Sequence, residues 1–153
     1  MLNKTAVVRG TVANGTAAYA AGEQVGAAVA FSDWSHGNTT GNIMDLDVVL
    51  LSGYATPLHL FFWNASPTLV ADNAAGTFTV ANQGANRLGQ ISIAATDWTT
   101  VGGHFSYTAR SVGLSVQSDT GIFYMSVLTG TGGTPTFNAA SHIVVTAGIL
   151  QDG

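Results

Sequence analysis

Apolar and polar residues alternate with a period of two along most of this chain, in short runs separated by Gly, Asn, Asp and Pro. Neighbouring residues of a strand point to opposite faces of a sheet, so such runs predict half-buried β-strands. In the run 43–51, Met44, Leu46, Val48 and Leu50 fall on one face, and Ile43, Asp45, Asp47, Val49 and Leu51 on the other. Val112, Leu114 and Val116 alternate in the same way with Gly113, Ser115 and Gln117. Further strands are predicted at 25–31, 88–94, 104–108, 122–128 and 143–150, with a short one resuming at Phe78 and Val80. Residues 5–13 alternate more loosely and read as an N-terminal arm or first strand.

The most apolar run is Leu58 to Trp63, where Leu58, Leu60 and Phe62 alternate with His59, Phe61 and Trp63. The first row suits a sandwich core. The second would meet water in a lone two-layer sandwich, so it predicts cover from a loop, a second subunit or a larger assembly. We take His59, Phe61 and Trp63 as the predicted contact row. In the corner that follows, 64–75, Ser66-Pro67 and Asp72-Asn73 each suit a turn or one short helical turn. Thr96-Asp97-Trp98 reads as another corner, with its indole folded inward.

No amphipathic pattern of three helical turns interrupts this series. Nine or ten short strands with Gly-rich turns and no crossover helix predict an all-β fold. The expectation is a single antiparallel β-sandwich, jelly-roll-like, with little or no helix. Residues 1–16 form the arm or first strand and residues 17–153 the sandwich domain.

Composition adds a surface of unusual character. Charged residues make up 8% of the 153, against roughly 25% in an ordinary soluble protein. The polar surface must then be Thr, Ser, Asn, Gln and backbone, which is cheap to desolvate and favours extensive contacts with other subunits. The net charge is -4, with only Lys4, Arg9, Arg87 and Arg110 positive. No basic patch is available to neutralise phosphates, which argues against nucleic acid and against an anionic membrane surface. No apolar run is long enough to cross a bilayer, and MLNKTAVVRG lacks the apolar core of a secretory signal. Without cysteine, neither a disulfide nor a thiolate metal site can form.

Candidate chemistry is sparse. Gly113-Leu114-Ser115-Val116-Gln117 begins like a nucleophile elbow but has Gln117 where glycine is required, and no helix follows. The Gly130 to Gly133 loop lacks the lysine of a phosphate-binding loop. Asp45 and Asp47 share a strand face, yet no Asp-rich loop supplies the further oxygens that calcium needs. His36, His59, His104 and His142 show no metal-ligand spacing. Trp34, Trp63 and Trp98 could stack on a sugar, and Trp34, beside the polar loop 32–42, is the candidate glycan contact. No catalytic, cofactor-binding or metal-binding residue is predicted, and the chain reads as a non-enzyme.

Several segments in order carry a family likeness: Ala18-Tyr19-Ala20-Ala21-Gly22-Glu23-Gln24-Val25-Gly26, then Leu60-Phe61-Phe62-Trp63-Asn64-Ala65-Ser66-Pro67-Thr68 leading to Ala71-Asp72-Asn73-Ala74-Ala75. Trp98 with Gly102-Gly103, Val112-Gly113-Leu114, Ile122-Phe123-Tyr124, Gly132-Gly133-Thr134-Pro135-Thr136 and Ile149-Leu150-Gln151-Asp152 follow. Over this span the chain resembles the small virion structural proteins of tailed bacteriophages, of the head decoration or capsid cement type. It departs from them at Glu23, where Asp is more usual, and at Gly76, which intrudes between Ala75 and Phe78. The resemblance implies a β-sandwich without catalytic residues, made in the host cytoplasm and resident on the virion. It also implies an oligomer, commonly a trimer, bound to the major capsid protein on the outside of the head near three-fold positions. His59, Phe61 and Trp63 would then be an oligomer or capsid contact. The alternative expectation is a glycan- or host-binding module of a tail or head fibre, acting through Trp34 and the loops 32–42 and 129–135.

Overall fold

The computed structural model describes residues 5–34, 40–51, 55–77, 86–132, 134–137 and 139–151. Among these residues the chain forms β1 (Thr5–Val12), β2 (Gln24–Phe31), β3 (Thr40–Leu50), β4 (Leu58–Trp63), β5 (Arg87–Ile93), β6 (Thr99–Val101), β7 (His104–Gln117), β8 (Phe123–Thr129) and β9 (Ile143–Gln151). Two antiparallel sheets pack face to face, one of five strands in the order β1-β9-β3-β7-β6 and one of four in the order β2-β8-β4-β5. Apart from the pairs β4–β5 and β6–β7, consecutive strands lie in opposite sheets, which is the jelly-roll arrangement. Each strand has one strongly apolar face, and only a facing sheet can cover it.

The core lies between the sheets. Leu46, Val48, Leu50, Ile143, Val145 and Ala147 from the larger sheet meet Leu58, Leu60, Phe62, Phe123, Met125 and Val127 from the smaller. Phe31 stacks on Phe123 at a centroid distance of 4.9 Å, and Trp34 meets Phe123 edge-on at 5.8 Å. On β1, Thr5, Val7, Arg9 and Thr11 face out while Ala6, Val8, Gly10 and Val12 face in. Gly10 matters because a Cβ there would lie 2.3 Å from Val29 Cγ1, so the lack of a side chain lets this edge strand approach β2.

Three local predictions need correction. Ile43 is fully buried and Met44 only partly so, the reverse of the simple alternation. The cause is a bulge: Ile43 pairs with Ile149 and Asp45 with Gly148, leaving Met44 as the extra residue that resets the phase. The strands expected separately at 104–108 and 112–117 are one strand, β7, bent where Ser111 (φ 55) and Gly113 (φ 66) are left-handed. Ser66-Pro67 forms neither a turn nor a helix, while Asp72-Asn73 does form the expected turn, with the Ala74 N–H donating to the Ala71 carbonyl at 3.2 Å. A 3-10 turn appears at Ala95–Asp97, with the Asp97 carboxylate accepting the Ala94 N–H at 2.7 Å. The indole of Trp98 does fold inward, donating to the Thr56 carbonyl at 2.8 Å. The strand expected at Phe78 and Val80 lies outside the described residues.

Candidate functional site

Residues 15–26, the corner 71–76, Thr129 and Pro135 meet at one corner of the sandwich. Asp72 Oδ1 accepts the Tyr19 hydroxyl at 2.8 Å and the Gly26 N–H at 2.6 Å, while Oδ2 accepts the Gly15 N–H at 3.1 Å. The Tyr19 oxygen itself accepts a bond from the Gly15 N–H at 2.7 Å. Burial first, and then the Asp72 hydrogen bond and charge, push the Tyr19 phenol well above its ordinary value. Nearby, the Asn73 N–H donates to the Gln24 carbonyl and the Gln24 N–H to the Ala74 carbonyl, each at 2.8 Å. The Tyr19 N–H donates to the Pro135 carbonyl at 2.9 Å, and Thr129 Oγ1 donates to the Ala20 carbonyl at 2.5 Å. Every one of these groups is used in holding loops to the sheet. The corner acts as a scaffold for these loops.

That scaffold also places a lid on the smaller sheet. The Gly76 N–H donates to the Gly22 carbonyl at 2.8 Å, and a Cβ on Gly76 would lie 2.5 Å from Leu128 Cδ2. Gly76 is thus the residue that lets the corner lie directly over the outer face of β8. Leu128, Phe61 and Trp63 form a second apolar cluster there, outside the main core, with Tyr124 packed against it. Arg87 sits 5.1 Å above the Phe61 ring, and Trp63 Nε1 donates to Ser126 Oγ at 2.9 Å.

The predicted contact row is corrected accordingly. Trp63 is 0% exposed and Phe61 8%, so the chain covers both and neither offers surface to a partner. His59 alone stays partly open, its Nδ1 2.8 Å from Ser92 Oγ. Trp34, the candidate glycan contact, is 0% exposed and belongs to the main core, so it cannot stack on a sugar.

The larger sheet carries the open face. Its outward residues line up in four rows across the strands: Thr11, Val144, Val49, Ser106 and Thr99; Arg9, Thr146, Asp47 and Thr108; Val7, Gly148, Asp45 and Arg110; Thr5, Leu150, Asn42 and Ser115. Val7 is 76% exposed and Val101, on the β6 edge, 59%. Each charged residue of the face has a partner on it. Arg110 lies 3.3 Å from Asp45, Thr108 donates to Asp47 at 2.8 Å, and Arg9 Nε donates to Thr146 Oγ1 at 3.3 Å. Val7, Val144 and Leu150 were not singled out by sequence reasoning. Their signal is present nonetheless, as apolar residues in the phase that the alternation assigns to solvent.

The paired carboxylates Asp45 and Asp47 are therefore engaged in cross-strand contacts on this face. Ser115 lies within β7 and donates to Asn42 Oδ1 at 2.9 Å, without the strand-to-helix turn of a nucleophile elbow. Among the described residues no three His, Asp or Glu side chains come together to hold a metal. His36 lies outside the described residues, as does Gly133 of the glycine-rich loop. Set against protein-family models and curated proteins, the chain finds no match.

Proposed function

We propose that this protein is a non-enzymatic bacteriophage virion component, a decoration or cement protein that binds the outer surface of the head and stabilises it. The observation that supports the reading most is the outer face of the larger sheet, neutral in sum and open across five strands. Arg110 and Asp45 form an ion pair and Arg9 and Asp47 are hydrogen-bonded to threonine hydroxyls, so few charges on the face lose water when it is covered. The resemblance of the sequence to head decoration proteins, together with the low charge content, adds the partner: the major capsid protein.

Size argues for repetition. Strands about 4.8 Å apart rising about 3.4 Å per residue make a face roughly 20 Å on each side. That is on the order of 400 Å², about half of the roughly 800 Å² each partner contributes to a standard complex. One such contact is weak, and several presented together are strong through effective concentration. A homotrimer seated near a three-fold position would engage several shell subunits at once and resist their separation. Sedimentation velocity on the purified protein tests the oligomer: a trimer supports the clamp, and a monomer at all concentrations contradicts it.

A further inference from the structure

We infer that the cleft between the neck of the β4–β5 connection and the β7–β8 turn binds a neutral sugar. It borders the end of the larger sheet, where Gln117 on β7 faces outward beyond Ser115, and the inference does not depend on the capsid reading. Asn64, Asn86, Gln117, Asp119, Thr120 and Tyr124 line it, with short side chains between them.

Both walls are held in shape by their own hydrogen bonds. The Asn64 N–H donates to the Asn86 carbonyl at 2.8 Å and closes the neck. In the turn, Ser118 Oγ accepts the Thr120 and Ile122 N–H groups at 3.3 and 3.1 Å. A cleft whose walls are fixed in advance spends less binding free energy on ordering them.

The side chains left over define the ligand. The amides of Asn86 and Gln117 and the carboxylate of Asp119 are used in no hydrogen bond among the described residues, and Gln117 and Asp119 are exposed. Asn64 also lines the cleft, with its Oδ1 buried and without a donor among the described residues. Tyr124 rests on the Phe61, Trp63 and Leu128 cluster and gives the cleft an aromatic wall.

No cation lines the cleft and Asp119 adds a negative charge, so phosphates and acidic sugars are disfavoured. An aliphatic ligand would desolvate the amides without pairing them. A neutral pyranose meets every requirement. Each amide offers a donor and an acceptor to adjacent hydroxyls, the carboxylate accepts from two, and the C–H face of the ring packs on tyrosine. The notion of an aromatic sugar contact thus moves from Trp34, which is in the core, to Tyr124.

Saturation-transfer NMR on the full chain with galactose, glucose, mannose and N-acetylglucosamine, each alone and with glucuronate as the acidic control, tests this. Ring-proton transfer is expected from at least one neutral sugar. It should fall to background in the Gln117→Ala/Asp119→Ala double variant, whose melting temperature should match that of the parent because both side chains are exposed. Absence of transfer from all four neutral sugars overturns the inference. So does transfer that survives in the double variant, or a glucuronate signal stronger than that of any neutral sugar.

Discussion

The Tyr19 hydroxyl donates to Asp72 Oδ1 at 2.8 Å across 53 residues of chain, and this bond ties the loop before β2 to the corner after β4. Removing the hydroxyl in Tyr19→Phe should cost about 1–2 kcal/mol. For a domain of this size that is a fall in Tm of about 2–4 °C per kcal/mol. Asp72→Ala, which strips an acceptor from Gly15, Gly26 and Tyr19 together, should cost more, about 2–3 kcal/mol after allowing for water reaching an exposed side chain. Thermal melts of the two variants check the order. Equal melting temperatures for all three proteins would contradict the role of the pair.

The same phenol sets an alkaline limit. Its pKa is raised in the folded protein, so above the ordinary phenol value of about 10 the unfolded chain releases a proton that the folded chain keeps. The stabilisation from Tyr19 is therefore complete below about pH 10 and is lost as pH rises beyond it. Unfolding free energy measured by denaturant from neutral pH upward should fall less steeply above that value in Tyr19→Phe than in the parent.

At Gly26 the backbone has a φ of +65°, and a Cβ would come within 2.6 Å of the Ala13 carbonyl oxygen. Gly26→Ala combines a left-handed conformation with a backbone clash that no rotamer relieves, and should cost at least about 2 kcal/mol. Gly102→Ala, at φ +58° with open space around it, should cost less. Urea denaturation of the two side by side separates strain from clash.

Phe61→Ser should act on the fold itself. The ring is 8% exposed beneath Arg87, and a large-to-small change at such a site costs about 3–5 kcal/mol in a full core and somewhat less on a lidded outer face. Denaturation should show the loss in the isolated protein, whatever its oligomeric state.

How far the sequence carries can be judged from β4. Alternation alone assigned Leu58, Leu60 and Phe62 to the core, and all three are fully buried. It also showed that the other row needs cover, but not which of three covers it has. That choice depends on bonds such as Gly76 to Gly22, whose partners lie far apart in the chain and leave no periodic trace. The phase errors at Ile43 and Met44 have a similar origin, since one inserted residue inverts every side chain on one side of it. Trp34 was misjudged because the polar residues around it suggested solvent, whereas its indole turns back against Phe123. Outward valines on β1 and β9 were visible as letters, but only the register shows that they form one surface.

His59 and Ser92 give a prediction about a proton. Arg87 donates to Gln90 Oε1 at 2.6 Å, which orients the amide so that Gln90 Nε2 donates to Ser92 Oγ at 3.0 Å. The Ser92 proton is then free to point at His59 Nδ1, 2.8 Å away. Neutral His59 should carry its own proton on Nε2. Long-range proton–nitrogen NMR distinguishes the tautomers, and a Nδ1–H form would reverse the assigned direction of the chain.

The central claim is that the outer face of the larger sheet docks on a capsid shell. Co-sedimentation with tailed-phage capsid shells stripped of decoration protein tests it most directly when the parent is compared with a Val7→Lys/Val144→Lys double variant. Both substitutions place charge on the open face while leaving the core and the Tyr19–Asp72 corner untouched. The account predicts that the parent pellets with the shells, and that the double variant stays in the supernatant with an unchanged melting temperature. A parent that stays in solution, or a double variant that pellets equally well, would contradict it.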